Sequence, residues 1–180
     1  MVALKASRSL WVALLLGAAC SEPAERPADT QPASIDTAVG CQRFAREGLK
    51  LKARTRAELQ AEAGRPINTS VTVEPNRHVP NVQDSIFRFE YDGLTVQMRK
   101  PGPGGEMFEY VAVTDREWLN FPFFQPGVSV ANLTTAIGQP QRRDGDRLIY
   151  TCGGGEVEEP VVFETHDGSV ERIVFNYYVD

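Results

Sequence analysis

The sequence has few of the residues that enzymes and metalloproteins use. Its 180 residues include only two histidines, His78 and His166. Neither histidine stands at zinc-ligand spacing from a second ligand. The nucleophile motifs Ser-x-x-Lys and Gly-x-Ser-x-Gly are absent. We therefore expect no catalytic residue, no metal site and no cofactor. The alternative, an enzyme, would require a pocket that brings one histidine close to carboxylates.

The sequence also lacks a basic cluster and a membrane-spanning hydrophobic run. It has 19 basic and 24 acidic residues, a net charge of −5. An acidic chain of this kind has no electrostatic reason to bind nucleic acid. The apolar run Leu10–Leu16 is much shorter than the roughly 20 residues that a spanning helix needs. With Lys5 and Arg8 before it, this run is typical of a signal peptide.

The end of the apolar run resembles a lipobox, the recognition site of the lipoprotein signal peptidase. It reads Gly17-Ala18-Ala19-Cys20, with glycine where a lipobox usually has leucine. The resemblance implies that residues 1–19 are cleaved and that Cys20 is lipidated, so that the lipid membrane is one partner. Ser21, rather than aspartate, favours the outer membrane by analogy. Ordinary cleavage after Ala19, leaving a free thiol, is the alternative.

Residues 20–35 contain three prolines and almost no bulky apolar side chain. Such a segment cannot bury enough surface to order itself. We expect a lipid-anchored disordered tether that holds one folded domain away from the membrane.

Two cysteines remain once Cys20 is assigned to lipid. Cys41 and Cys152 are then an even pair in an oxidising compartment, and we expect a disulfide between them. A reactive or metal-binding thiol is the alternative, although neither cysteine has a histidine or second cysteine at ligand spacing.

Two segments that lie 74 residues apart share one pattern, residues 55–66 and residues 129–140. Each begins with a hydroxyl side chain suited to cap a helix, Thr55 or Ser129. Each continues with apolar residues four positions apart and ends Gly-x-Pro, which stops a helix. The repeat therefore predicts two short capped helices.

Alternating apolar and polar residues after each capped helix predict antiparallel strands. The predicted strands are residues 86–91, 94–99 and 107–114 after the first helix, and 147–152, 161–165 and 170–177 after the second. A further helix from about Ile35 to Glu47 would carry Cys41. The predicted fold is α+β, with two tandem modules, each a short capped helix followed by a three-stranded antiparallel meander. The helices would lie on one face of the sheet.

The capped helices, together with the turn Tyr91-Asp92-Gly93-Leu94, resemble the SmpA/OmlA outer-membrane lipoproteins over roughly residues 50–180. The tandem arrangement is similar to that of the β-lactamase inhibitor protein. The resemblance implies a protein that binds other proteins without chemistry, as SmpA/OmlA lipoproteins do in outer-membrane assembly. We expect the N-terminal helix and first module in residues 36–126 and the second module in 127–180, within one compact domain.

Four aromatic residues crowd the segment between the predicted modules: Trp118, Phe121, Phe123 and Phe124. They either pack the junction or form an exposed patch that binds a partner, and burial decides between the two. We predict a non-enzymatic cell-envelope lipoprotein that binds an unidentified envelope protein or acts as a scaffold. The alternative is a periplasmic inhibitor or ligand-binding protein.

Overall fold

The computed structural model of the protein describes residues 37–102, 104–152 and 160–177, with side chains from Gly40 onward. The helices are α1 (Thr37–Glu47), α2 (Arg56–Ala63) and α3 (Val130–Ile137), with one 3-10 turn at Arg116–Trp118. The strands are β1 (Asn68–Pro75), β2 (Gln83–Tyr91), β3 (Leu94–Lys100), β4 (Met107–Val113), β5 (Arg142–Asp144), β6 (Arg147–Thr151), β7 (Pro160–His166) and β8 (Ser169–Asn176). All of them belong to one compact unit, Pro32–Asp180. In this part of the chain, no helix has the length and hydropathy to cross a membrane.

The eight strands form a single antiparallel sheet in the order β1-β2-β3-β4-β8-β7-β6-β5. The prediction of two tandem modules with three strands each is therefore wrong. Strand β4 pairs directly with β8, so that Val111 lies opposite Phe175 and the sheet continues across the predicted division at residue 126. The physical reason is that this pairing satisfies backbone groups that two separate meanders would each leave at an exposed edge.

The two strands missing from the prediction are the two edges of the sheet. Every residue of β1 is exposed, and β5 is three exposed charged residues, Arg142 to Asp144. Strand β5 has no apolar residue, so its sequence lacks the alternation that identifies a half-buried strand. Strand β1 does alternate, with Val71 and Val73 between polar residues, but its side chains stay exposed because the strand does not contribute to the core.

The predicted caps of the repeated helices are confirmed. Thr55 accepts a bond from the Glu58 backbone N–H at 3.3 Å, and the Glu58 carboxylate accepts one from the Thr55 N–H at 3.1 Å. Ser129 accepts from the Asn132 N–H at 3.2 Å, without a reciprocal bond. Both helices end at glycines with positive φ, 76° at Gly64 and 83° at Gly138. Such backbone angles favour glycine.

The predicted β2–β3 hairpin is confirmed with its register, in which Tyr91 pairs with Leu94, Phe89 with Val96 and Phe87 with Met98. The turn requires glycine at position 93, where φ is 67°. A Cβ atom there would lie 2.2 Å from the Cβ of Asp115.

The helices pack on the same sheet face as these apolar side chains, and Phe44 of α1 lies at the centre of the core. Its ring is almost fully buried. Phe124, Phe175 and Phe163 surround it with ring centroids 4.8, 5.2 and 5.8 Å away. Helix α1 therefore holds the core of the second half of the chain together.

The opposite sheet face is divided into a charged part and an apolar part. Buried Arg99 pairs with buried Asp84 at 3.1 Å and with Glu109 at 2.6 Å. A row of buried apolar residues continues across β4, β8, β7 and β6: Ala112, Val174, Val162 and Ile149.

Candidate protein-binding groove

The predicted Cys41–Cys152 disulfide is confirmed. The two Cα atoms are 5.1 Å apart and the residues are 111 positions apart in the chain. Both side chains are buried in the core. The bond joins α1 to the chain just after β6, so its role is structural. Cys20, the predicted lipidation site, lies outside the described residues.

The four aromatic residues of the 118–124 segment differ in burial. Phe124 is buried and Phe121 is half-buried against it. Trp118 is half-buried, and its Nε1 donates to the Asp92 carbonyl at 2.9 Å. Phe123 is 48% exposed. Packing at the junction therefore involves three of these rings, while Phe123 is open to a partner.

The two histidines lie in exposed positions. His78 is in the loop before β2, and His166 is at the end of β7 with its Nε2 3.5 Å from the Asp167 carboxylate. Neither lines the groove described below. Across the described residues, no three side chains of the metal-binding types cluster closely enough to hold an ion.

The exposed apolar side chains of the described residues concentrate in one stretch. Five large ones are 48–77% exposed: Ile67, Val71, Val73, Val79 and Phe123. The first four lie within thirteen consecutive positions, on β1 and beside its ends. Sequence reasoning missed this surface, although residues 69–73, four of which are β-branched, are typical of a strand.

A groove of about 810 Å³ lies between α2 and strands β1 and β2. Its lining includes the rings of Phe87 and Phe89, which stack 6.4 Å apart with planes 6° from parallel. Both rings are only half-buried, although they belong to the sheet face that α2 covers elsewhere through buried Leu59. The groove is therefore a part of the helix-covered face that the helices leave open.

Arg56 at the start of α2 closes one side of the groove. Its guanidinium carbon lies 3.8 Å from the centre of the Phe87 ring, and its Nε lies 2.5 Å from Glu106. Burial opposes ionisation of Glu106, but the backbone and side-chain bonds from Arg56 outweigh it and lower the pKa of that carboxyl. The two charges therefore neutralise each other.

Arg65, in contrast, lines the groove with an exposed side chain. No acidic side chain of the described residues lies within ion-pair distance of it. The groove thus combines an apolar floor with one uncompensated positive charge.

The free edge of β1 forms the outer side of the groove. The Asn76 N–H donates to the Val82 carbonyl at 2.8 Å, which continues the β1–β2 ladder. Hydrogen-bonding direction alternates along an antiparallel strand. The even-numbered residues of β1 therefore face β2, and the backbone groups of Thr69, Val71 and Val73 face outward. No described strand pairs with β1 on that side.

No family model matches the chain, and no curated protein or solved structure matches it either. The resemblance to the SmpA/OmlA lipoproteins therefore remains a prediction from the sequence motifs.

Proposed function

We propose that this protein is a non-enzymatic protein-binding module of the bacterial cell envelope, attached to the outer membrane by lipid on Cys20. The observation that carries the proposal is the groove beside β1. It combines half-buried Phe87 and Phe89 with exposed Val71 in one place.

The composition of the groove supports a protein partner. Contiguous exposed apolar surface is uncommon on monomeric proteins and marks interaction sites. Aromatic rings and arginine are the side chains most enriched where proteins bind each other. Phe87 and Phe89 with Arg56 and Arg65 provide that combination within one lining.

The same groove supports a second candidate, a periplasmic inhibitor or ligand-binding protein. Its volume of about 810 Å³ falls within the range of roughly 300–1,000 Å³ that is typical of small-molecule sites. The groove is at one edge of the sheet rather than between the two halves of the chain. A small-molecule site would give no protein crosslinks.

In-cell photocrosslinking tests the proposal. A photoreactive phenylalanine derivative is placed in separate variants at Val71 in the groove, at Phe123 in the aromatic segment, and at Arg143 on the opposite sheet edge. All three positions are exposed. We expect discrete protein adducts from position 71, identified by mass spectrometry after purification, and none from position 143.

Position 143 is the matched control because it is also an exposed edge-strand residue. Adducts from position 123 alone would place the partner on the aromatic segment and retain the proposed function. An absence of protein adducts at all three positions, or equal adducts at position 143, would contradict it.

The anchor has a separate test. A Cys20→Ser variant should incorporate no labelled fatty acid, whereas a Cys41→Ser variant should still incorporate it. Continued labelling of Cys20→Ser would refute lipidation at that residue.

A further inference from the structure

We propose that the free edge of β1 binds an extended segment of a partner protein, which joins the sheet as an additional strand and directs apolar side chains into the groove and an acidic one towards Arg65. The inference rests on the proposed function and specifies its mode of binding. Strand addition of this kind uses main-chain hydrogen bonds for affinity and alternate side chains for specificity.

The two edges of the sheet differ in how they are protected against pairing with another strand. Proteins protect edge strands by keeping them short and by placing charges on them. Strand β5 follows that rule, since it consists of Arg142, Arg143 and Asp144. Strand β1 has eight residues, of which Glu74 alone is charged. Strand β1 thus has less of this protection than β5, with one charge among eight residues and Pro75 at its end.

The free backbone groups of β1 point in the direction that an added strand requires. Hydrogen-bonding direction alternates along the ladder, so three residues of β1 point their N–H and C=O groups away from β2: Thr69, Val71 and Val73. Together they offer three donors and three acceptors in regular order. Pro75, which has no N–H, lies just beyond them at the end of the strand.

The residues of the free edge also border the groove. Val71 pairs with Phe87, and Thr69 pairs with Phe89. Paired residues point to the same sheet face, so the row from the phenylalanines continues to the free edge. An added strand would lie about 4.8 Å beyond β1, and every second side chain would join this row. Apolar side chains at those positions would bury Val71 and Val73.

The charge of the groove specifies the partner further. Arg56 is neutralised by Glu106, but Arg65 is uncompensated among the described residues. Arg65 precedes β1 by three positions. A carboxylate on the partner segment near this end of the strand would therefore form an ion pair, whereas a lysine there would be repelled.

A second copy of this chain fits the edge less well. Two copies could pair Thr69, Val71 and Val73 across their free edges in an antiparallel register centred on Val71, in which Val71 of one copy lies opposite Val71 of the other. Extended beyond the strand, that register brings Arg65 of one copy opposite Arg77 of the other. Like charges placed directly opposite each other are destabilising. The charges favour a different protein with an acidic segment.

The test uses the purified protein in the form isolated from cells and synthetic peptides as probes. Each peptide has eight residues, with valine and threonine in alternation, and carries one aspartate at its first or its last position. Matched peptides carry lysine instead. We expect the protein to bind an aspartate peptide at least about fivefold more tightly than its lysine counterpart, measured by fluorescence anisotropy below the concentrations at which peptides self-associate.

Two variants separate strand addition from simple apolar contact. Val71→Pro removes an N–H that the β1–β2 ladder does not use, and edge strands tolerate proline at such positions. Its control, Val71→Thr, changes the side chain but keeps the N–H. We expect binding to weaken about tenfold or more in Val71→Pro, since a backbone hydrogen bond is lost and the ring obstructs the edge. Val71→Thr should weaken it much less.

Amide hydrogen exchange provides a readout that does not depend on either variant folding. Bound peptide should slow exchange at Thr69, Val71 and Val73 and leave Ser70 and Thr72, which already bond to β2, nearly unchanged.

The variant Arg65→Gln tests the charge. It should bind the aspartate and lysine peptides equally well.

Several outcomes would overturn the inference. The first two are an absence of peptide binding and equal peptide binding by Val71→Pro and Val71→Thr. The third is amide protection that the peptide spreads over even-numbered and odd-numbered residues of β1 alike. The fourth is amide protection that rises with protein concentration in the absence of peptide, which indicates that two copies pair with each other. Crosslinks in cells from position 71, with any of these results, would retain the proposed function and reject strand addition.

Discussion

Arg99 and Asp84 are buried side by side on the sheet face opposite the helices, and their contacts affect how stability depends on pH. The Asn76 side chain donates to Asp84 at 2.8 Å and is the main reason that the pKa of this carboxyl is lowered from 3.8. Burial opposes this effect and Arg99 adds to it. The pKa of Glu90 is also lowered from its ordinary 4.5, chiefly because Arg88 donates to it at 2.9 Å.

A carboxyl whose pKa is lower in the folded state stabilises that state only while it is ionised. Its contribution is complete above the ordinary pKa values of 3.8 and 4.5 and is lost as the pH falls below them. We expect the urea midpoint to stay constant from about pH 7 to about pH 5 and to fall below about pH 4. Asp84→Asn should make this fall shallower, because the replacement does not titrate.

The control for this residue-scale prediction is Glu171→Gln, a change at an exposed residue of β8. It should leave the acid dependence as it is in the parent protein. If Asp84→Asn showed the same slope as Glu171→Gln, the Asp84 network would have no part in acid unfolding.

At the scale of elements, the two repeated helices differ at the third helical position. In α2 this residue is Glu58, whose carboxylate accepts from the Arg54 N–H at 2.6 Å and the Thr55 N–H at 3.1 Å. In α3 it is Asn132, whose backbone N–H donates to the Ser129 hydroxyl but whose side chain makes no reciprocal bond. Replacing each of these two residues with alanine therefore measures what the bonds accepted by the Glu58 carboxylate contribute to stability.

We expect Glu58→Ala to lower the free energy of unfolding by about 1 kcal/mol, in line with the loss of helix-capping bonds. Asn132→Ala should change it by less than about 0.5 kcal/mol, since alanine is also the better helix former. Urea denaturation of both variants at pH 7 measures the difference. Equal losses would mean that the reciprocal bonds contribute nothing.

At the scale of the whole molecule, the Cys41–Cys152 disulfide closes most of the folded chain into one loop, since the cysteines are 111 residues apart. It ties α1, which carries Phe44 in the centre of the core, to the end of β6. A bond across so long a loop restricts the unfolded chain strongly. Its loss should therefore destabilise the entire domain rather than one element.

We expect a Cys41→Ala/Cys152→Ala variant to lose about 2–5 kcal/mol of unfolding free energy. Urea denaturation with and without reductant tests this expectation. Reductant should shift the midpoint of the parent protein towards that of the double variant and leave the double variant unchanged. A parent protein insensitive to complete reduction would contradict it.

Local signals in the sequence account for much of the fold. The hydroxyl caps at Thr55 and Ser129, the Gly93 turn and the alternation in β2 and β3 were all readable, because each depends on residues that are close in sequence. The pairing of Cys41 with Cys152 was also predicted, because these two of the three cysteines remain once Cys20 is assigned to lipid.

The tertiary structure decided the rest. The pairing of β4 with β8 could not be predicted from the sequence, because pairing between strands that are distant in the chain leaves no local pattern. Nor could the groove, since Phe87 and Phe89 have the same alternation as fully buried residues and only the extent of α2 leaves them open. The sequence by itself therefore determined helices, turns and hairpin registers, which are set by neighbouring residues. The single sheet and its binding surface depend on which faces and edges remain uncovered after packing.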